Sequence, residues 1–482
     1  MLFNSFEFLI FLPLVFAGYW LIGRSGLPLK AQNLFVIAVS YLFYGWWDWR
    51  FLLLIAFATG VSFVCGLALD SAKGRTARRT ICGVNIVVAL GLLCVFKYFN
   101  FFAANFAALA SAVGLEVDAL SLQLVLPVGI SFYTFQTLSY TIDVYRRDIP
   151  ATRDAAAYFA FISFFPQLVA GPIERARNLL PQFLRARRFS YAEGVDGLRM
   201  ILWGLFKKVV VADNCAVIVD RVFADWHTLG SLQLAAGAVM FAFQIYGDFS
   251  GYTDIAIGTA KLFGITLRQN FRMPYFSRDI VEFWRRWHIS LTSWFRDYLY
   301  IPLGGNRKGM WRTVVYTIIV FLLSGLWHGA NWTFVGWGAF NALLFVPLIV
   351  TGTSNRHRGT TVAQGRLLPS LTEAVLMGVT FILVVGGWVL YRAETIGDAA
   401  GYLARIVAFV PGTGQAMERW AWVYVALMLI VEWTARHRRH GFDVAGHGLM
   451  RFRAVRWGAY FLLVMLVLLQ TRPAETFIYF QF

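Results

Sequence analysis

The sequence predicts an all-α, polytopic integral membrane protein, and three observations support that fold class. Hydrophobic residues make up 59% of the 482 residues and charged residues only 14%, against roughly 45–50% and 25% in soluble domains. Mean hydropathy is +0.61. The sequence contains many apolar stretches whose length approaches the roughly 20 residues that a helix needs to cross the hydrocarbon core. A soluble globular enzyme or a disordered chain is excluded, because neither can keep so much apolar surface from water.

Roughly eleven of these stretches are predicted to be transmembrane helices. They lie near residues 2–22, 31–47, 51–69, 81–97, 122–143, 233–258, 313–329, 332–351, 373–391, 420–434 and 457–470. The connecting segments are short, so we expect one integral-membrane domain over residues 1–482. Its core motifs fall within about 122–350, and its C-terminal helices fall within 373–482.

Other apolar or aromatic stretches are predicted not to cross the membrane in a simple way. Residues 155–172 have a basic residue at each end, Arg153 and Arg175. A single crossing cannot keep both on the cytoplasmic side, so a re-entrant or in-plane element is favoured. Residues 277–300 are rich in aromatic side chains but too charged to span, and they are expected at the interface or in a protein-lined cavity. Residues 198–220 are apolar without a clear assignment.

The formal net charge of +17 is explained by the positive-inside rule rather than by nucleic-acid binding. Most of the 43 lysines and arginines cluster in loops, whereas residues 98–145 and 313–355 contain none. The first span is then expected to run from outside to inside, and both termini are expected to be extracytoplasmic. No basic residue precedes Arg24, so residues 2–22 are interpreted as a retained span and not as a secretory signal.

Cysteines and most histidines carry no catalytic or metal signal. Cys65, Cys82, Cys94 and Cys215 lie in or beside apolar runs without metal-type spacing, so they are interpreted as small core residues and no metal site is predicted. Five histidines are interpreted as solvated residues of loops or connecting stretches: His227, His357, His437, His440 and His447.

His328 is the strongest candidate for a catalytic residue. Residues 313–328 contain no charged side chain, and a helix of that length is about 24 Å long. His328 is therefore expected deep in the membrane, where an ionisable residue indicates a functional site by default. The alternative is a neutral histidine bonded to a neighbouring helix or placed at the outer interface. Glycines around it and Asn331 suggest a helix break that lines a cavity, with Trp327 and Asn331 as supporting residues.

His288 lies in the charged aromatic segment and is a weak candidate by itself. An interfacial histidine among arginines and tryptophans needs no function. Together with His328 it becomes informative, because both side chains are able to face one cavity. Two distant histidines without further ligands make a poor metal site.

Residues 241–264 place acidic groups among apolar residues. Gln244 and Asp248 are four residues apart and share a helix face, and Asp254 follows. These side chains either line the cavity, paired with an arginine or a histidine, or hold helices together. The sequence gives the two interpretations equal support.

Several motifs together resemble the membrane-bound O-acyltransferase family, most closely its bacterial alginate O-acetylation type. The similarity covers roughly residues 1–350 and the C-terminal end, whereas residues 352–456 offer little to compare. The motifs are GLWHGANWTFVGWGAFN, EFWRRWHISLTSWFRDYLYIPLGG, QIYGDFSGYTDIAIGTA, FFPQLVAGPIER, LPVGISFYTFQTLSYTIDVYR and the terminal FIYFQF.

The resemblance implies a ring of membrane helices around a thin central region, with a funnel from each face. It implies that His328 is catalytic and that His288 is the second motif histidine. Members of the family transfer acyl groups from thioesters to hydroxyls. The bacterial subgroup moves acetyl groups from the cytoplasm across the inner membrane to extracytoplasmic polysaccharides, often through a periplasmic acetyltransferase. Acetyl-CoA is then the expected donor substrate, and no permanently bound cofactor is expected.

A buried neutral histidine suits this chemistry as a general base, because burial disfavours imidazolium. In this hypothesis His288 orients a substrate or donates to the developing oxyanion. A covalent acyl-histidine relay is left open. The ligand of the basic segment 268–312 is also left open, since its positive charge suits either coenzyme A phosphates or an acidic carrier protein. Alternatives are D-alanyl transfer from a carrier to a cell-wall polymer, a transporter or flippase, and a scaffold for a periplasmic transferase.

Overall fold

A computed structural model describes residues 1–115, 120–169, 171–412, 418–438, 440–443, 448–471 and 477. The described residues form helices and loops without a β-strand, which confirms the all-α fold class. The chain divides into two compact units, Met1–Val195 with Thr259–Arg268, and Asp196–Gly258 with Gln269–Phe482. The single domain inferred above stays a prediction. The terminal motif FIYFQF lies outside the described residues except for Phe477, as does His447.

The first unit contains the helices up to α9 and the start of α10. They are α1 (Phe6–Arg24), α2 (Leu29–Gly45), α3 (Arg50–Ser71), α4 (Arg75–Leu93), α5 (Phe99–Ala112), α6 (Ile130–Arg146), α7 (Ala155–Ser163), α8 (Phe165–Leu168), α9 (Ala176–Phe183) and α10 (Tyr191–Leu205). A π-helical turn, Cys94–Tyr98, joins α4 to α5.

The second unit contains the remaining helices, apart from the end of α12. They are α11 (Asp213–Ala224), α12 (Ser231–Leu262), α13 (Ile280–Arg286), α14 (Ile289–Phe295), α15 (Ile301–Leu303), α16 (Met310–His328), α17 (Trp332–Val350), α18 (Leu371–Arg392), α19 (Ile396–Val407), α20 (Arg419–Thr434) and α21 (Arg453–Gln470). Further π-helical turns are Phe206–Ala212 and Arg296–Tyr300, and short 3₁₀ turns are Pro274–Phe276 and Gly448–Arg451.

Seven helical stretches of the described chain are long and apolar enough to cross a membrane. They are Phe6–Arg24, Arg50–Ser71, Arg75–Ala112, Met310–His328, Trp332–Val350, Leu371–Arg392 and Arg453–Gln470. All seven overlap predicted spans. They identify a multi-pass membrane protein, whereas the total of roughly eleven spans stays a prediction.

The predicted span at 122–143 needs a correction at its start. Residues 120–129 are not helical, and α6 begins only at Ile130, after Gly129 with a positive φ of 74°. Most of α6 is buried, and it packs against α3 and α4. Thr137 and Ser139 donate to carbonyls of α6 itself, and Asn85 of α4 donates to Thr141. A helix with this many polar groups is suited to contact with other helices.

The two stretches expected not to span are indeed built from short helices. In the first, α7 has nine residues and α8 has four, so α7 is only about 14 Å long. In the second, α13 and α14 have seven residues each. Neither set is long enough to cross about 30 Å of hydrocarbon as one helix.

Candidate active site

His288 and His328 lie together in the second unit. Their side chains are almost fully buried, at 1% and 3% exposure, and their ring centroids are 6.2 Å apart with the planes inclined by 53°. At this separation the ring nitrogens are too far apart to bond each other directly. The two imidazoles, forty residues apart in sequence, therefore belong to one site.

His328 is positioned by the hairpin of α16 and α17. Helix α16 ends at His328, the chain turns at Gly329, and the Asn331 side chain accepts a hydrogen bond of 3.1 Å from the Thr333 N–H at the start of α17. A Cβ at Gly325 would collide with the carbonyl oxygen of Phe334, so only glycine allows the two helices this close an approach. The helix break suggested by the sequence is thus the reversal between two helices.

His288 is held in a turn between α13 and α14. Its backbone is left-handed, with φ 42° and ψ 52°, a conformation that costs a non-glycine residue about 1–3 kcal/mol unless its surroundings enforce it. Asn270 supplies that enforcement: its carbonyl accepts from Ile289 N–H at 2.9 Å, and its side-chain oxygen accepts from the Ser290 N–H and hydroxyl. Burial lowers the pKa of the His288 imidazole, which keeps the ring neutral.

Aromatic rings surround the histidine pair. Trp327 lies 4.9 Å from His328 and 6.0 Å from His288, and Trp337 lies 5.2 Å from His328, all between centroids. Tyr391 of α18 places its hydroxyl 3.3 Å from Nδ1 of His328. Both imidazoles are therefore enclosed largely by aromatic side chains.

Sequence reasoning missed Tyr391 and also Trp388, one turn earlier on α18. Trp388 is 1% exposed, stacks on Trp337, and has an indole N–H without a hydrogen-bond acceptor among the described residues. A buried unsatisfied donor asks for an explanation, and a substrate oxygen is one. No motif pointed to either residue, because both lie where the resemblance was weak.

A cavity of about 840 Å³ lies along α16, and Ser324 lines it whereas His288 and His328 do not. Its walls include Met310, Thr317 and Ser324, and the first and last of these are fourteen residues apart along the helix, or about 21 Å. Ser324 is one helical turn from His328. Three arginines, Arg285, Arg296 and Arg358, also line the cavity and make it basic.

The charges of the segment 277–300 are largely paired. Glu282 accepts from Arg278 at 3.0 Å and from Arg286 at 2.6 Å. Burial alone would raise the pKa of the Glu282 carboxyl, but the two arginines outweigh burial and hold that pKa below its ordinary value. Arg285 is different, since it lines the cavity and donates to Asn355 and to the Ser354 carbonyl.

Asp248 and Asp254 pair with lysines, not with the arginine or histidine that the sequence suggested. Lys208 lies 2.8 Å from Asp248 and 2.7 Å from Asp213, and Lys207 lies 2.7 Å from Asp254. Both lysines are at most 3% exposed and come from the π-helical turn. Their position inside an apolar stretch was a signal that partners were required.

Gln244 lies one turn before Asp248 on α12 and is partly buried. Its side-chain oxygen accepts no hydrogen bond from the described residues. The roles of Gln244, Asp248, Asn331 and Trp327 stay predictions.

Two predictions about the exposure of side chains are wrong, those for His440 and Cys94. His440 was interpreted as a solvated loop residue, but it is 5% exposed and lies 3.0 Å from Asp196, because the loop after α20 folds back onto α10. Cys94 was interpreted as a core residue, but it is exposed on the π-helical turn, whereas Cys65, Cys82 and Cys215 are buried. His227 and His437 are exposed as expected.

Comparison with known proteins identifies the class that this fold and site belong to. The model of the membrane-bound O-acyltransferase family matches residues 146–361. A Pseudomonas putida protein named "Probable alginate O-acetylase AlgI" is 40% identical over 413 residues, covering 85% of this chain and 81% of that protein. The chain therefore belongs to the membrane-bound O-acyltransferase family and is an acyltransferase.

Two further relatives differ in their named activities. The peptidoglycan O-acetyltransferase of Helicobacter pylori is 32% identical over 436 residues, covering 84% of this chain and 80% of that protein. The teichoic acid D-alanyltransferase of Bacillus subtilis is 31% identical over 233 residues, covering 45% of this chain and 57% of that protein.

Proposed function

We propose that this protein transfers acetyl groups from a cytosolic thioester, acetyl-CoA, to hydroxyls of an extracytoplasmic polysaccharide in the bacterial inner membrane. The observation that carries the proposal is the basic cavity along α16, whose lining includes Ser324, one helical turn before His328. Relatives named as O-acetylating enzymes match 84–85% of the chain, whereas the D-alanyltransferase matches 45%. Acetyl transfer is therefore favoured over D-alanyl transfer.

The chemistry assigns the imidazole of His328 as the general base. When Nδ1–H donates to the Tyr391 hydroxyl, the lone pair of Nε2 accepts the proton of the acceptor hydroxyl. The alkoxide oxygen attacks the thioester carbonyl, the tetrahedral intermediate expels the thiolate, and the thiolate takes the proton back from imidazolium. A polysaccharide hydroxyl or a hydroxyl of a periplasmic acetyltransferase is able to be that acceptor.

His288 and Trp388 are assigned to the other side of the reacting carbonyl. Neutral His288 has one ring N–H to donate, and the Trp388 N–H has no acceptor among the described residues. Donors that face the developing oxyanion stabilise it strongly in a site without water. The aromatic rings around the pair limit hydrolysis of the donor.

Blocking the cavity tests the donor route. We expect Ser324→Phe to reduce turnover of labelled acetyl-CoA in proteoliposomes by at least about tenfold, because a phenyl ring at this lining position, one helical turn before His328, fills part of the cavity. Leu323→Phe is the matched control, since Leu323 is the neighbouring residue and is 42% exposed on the outer surface of the helix.

Thr317→Leu repeats the test farther down the same wall, in case overpacking at Ser324 prevents folding. Thermal unfolding of each purified variant separates a blocked cavity from a damaged fold. Equal turnover by folded Ser324→Phe, Thr317→Leu and Leu323→Phe proteins would remove this cavity from the donor route.

Substitutions of two neighbouring arginines, Arg285 and Arg286, test which positive charge contributes to binding of the acyl donor. We expect Arg285→Gln to raise KM for acetyl-CoA several-fold with a smaller change in kcat, because Arg285 lines the cavity and attracts phosphate. Arg286→Gln should leave KM unchanged, because Arg286 is engaged with Glu282 at 2.6 Å. Identical KM values for the wild type and Arg285→Gln would contradict a role in donor binding.

A further inference from the structure

A second cavity, of about 230 Å³, lies at the opposite end of α18 from the basic loop that precedes it. Its lining comes from the end of α11, the end of α18 and the start of α19, and includes Asp220, Trp226, His227, Arg392, Glu394 and Asp398. The volume is below the range of about 300–1,000 Å³ typical for drug-sized ligands. It suits one small polar ring rather than a long chain.

This cavity adjoins the histidine site through the backbone. Tyr391, whose hydroxyl meets His328, is followed directly by Arg392, which lines the cavity. Asn331, three residues after His328, donates to the carbonyl of Glu394 at 3.1 Å. The loops that end the His328 helix and the Tyr391 helix are therefore joined by a hydrogen bond at the cavity rim.

The charges of the cavity are unequal. Arg392 is paired with Asp220 at 2.9 Å and packs over Phe223. Among the described residues, neither Glu394 nor Asp398 forms an ion pair, and Asp398 accepts one hydrogen bond from the Thr395 hydroxyl. Because Arg392 is already paired with Asp220, Glu394 and Asp398 give the lining an excess of negative charge, which disfavours an anionic ligand and favours ligands that donate hydrogen bonds.

The aromatic wall adds an apolar contact. Trp226 contacts the ring of His227, with centroids 3.7 Å apart and the planes inclined by 30°. Trp226 also lines the cavity and is partly exposed. An aromatic face beside carboxylate acceptors matches a sugar ring, which has apolar C–H faces and a rim of hydroxyl donors.

We propose that this cavity is an acceptor subsite for a neutral sugar residue, on the extracytoplasmic side of His328. The inference rests on the proposed acetyl transfer and adds a selectivity to it. An electrically neutral glycan binds with its hydroxyls on Glu394 and Asp398 and its ring on Trp226, whereas a polyuronate is repelled by the two carboxylates.

The test is equilibrium binding of two tetrasaccharides to the purified protein in nanodiscs, one neutral (cellotetraose) and one anionic (mannuronate tetramer). We expect the wild type to bind the neutral probe more tightly. Glu394→Gln should weaken that binding about tenfold, because a hydrogen bond to a charged acceptor is among the stronger ones. Glu394 is exposed, so this near-isosteric change does not threaten folding. Glu394→Lys should improve binding of the anionic probe.

Glu418→Gln and Glu418→Lys are the matched controls, since Glu418 is also exposed and lies outside the cavity lining. Equal effects at positions 394 and 418, or a wild type that prefers the mannuronate tetramer, would overturn the proposal. A third outcome would also overturn it: the wild type binds neither sugar, and the Glu394→Lys variant loses a periplasmic protein that co-purifies with the wild type. The cavity would then be a binding site for a protein. Sugar binding is measured in the absence of the acetyl donor, so a protein that fails to bind the sugar is distinguished from one that fails to transfer acetyl groups.

Discussion

Replacing His328 by alanine is expected to abolish acetyl transfer while the protein still folds and inserts. General-base catalysis contributes about 10²–10⁴-fold, and the pair with the Tyr391 hydroxyl shows that this imidazole has a defined orientation. The measurement is release of free thiol from labelled acetyl-CoA by proteoliposomes, together with acetate incorporation into the acceptor. His328→Gln tests the same point with a side chain that keeps polarity and lacks the base.

Two comparisons make the result interpretable. His437→Ala changes an exposed histidine and should leave turnover at the wild-type level. His288→Ala should reduce turnover less than His328→Ala does, because an orienting or oxyanion-donating group leaves the base in place. Wild-type acetylation by folded His328→Ala protein would overturn the catalytic assignment and favour the transporter interpretation.

The sequence predicted the members of the histidine pair because their surroundings in the chain are unusual. A histidine after fifteen uncharged residues stands out in any apolar span. Its partner stood out only through the density of charge and aromatic rings in residues 277–300. The distance between the rings was beyond prediction, since it depends on how the turn at His288 is held by Asn270.

Tyr391 and Trp388 show where sequence reasoning stops. Both lie in an apolar helix whose pattern is explained by membrane insertion alone, so nothing in the sequence separates them from other aromatic residues. Their importance comes from the packing of α18 on α17, which brings Tyr391 to His328 and Trp388 onto Trp337. Such contacts depend on tertiary packing, so the local sequence does not predict them.

Lys207 and Lys208 show a signal that the sequence contains but does not resolve into partners. Two adjacent lysines within an apolar stretch need partners, because an isolated buried ammonium is costly. The aspartates of α12 were noticed separately. What joins them is the π-helical turn Phe206–Ala212, whose extra residue turns two consecutive side chains toward α12.

Replacing Lys208 by methionine is expected to destabilise the protein strongly. Lys208 lies between Asp213 and Asp248, 2.7 and 2.8 Å from their carboxylates, and all three groups are buried. Removing the shared ammonium leaves two neighbouring carboxylates in a site that excludes water, and breaking a buried pair in this way costs about 3–5 kcal/mol. The measurement is thermal unfolding of the purified protein in detergent, followed by the yield of folded protein from membranes.

Asp248→Asn tests whether the Lys208 ammonium is shared by two carboxylates or is paired with Asp248 alone. It should lower the unfolding temperature less than Lys208→Met does, because Lys208 keeps Asp213 at 2.7 Å and the amide still accepts a hydrogen bond. Arg50→Met, which breaks a pair with Asp48 in which the arginine side chain is 66% exposed, should change the unfolding temperature little, since water solvates the arginine charge. If Lys208→Met unfolded at the same temperature as Arg50→Met, the buried lysine would not be holding α12 against the π-helical turn.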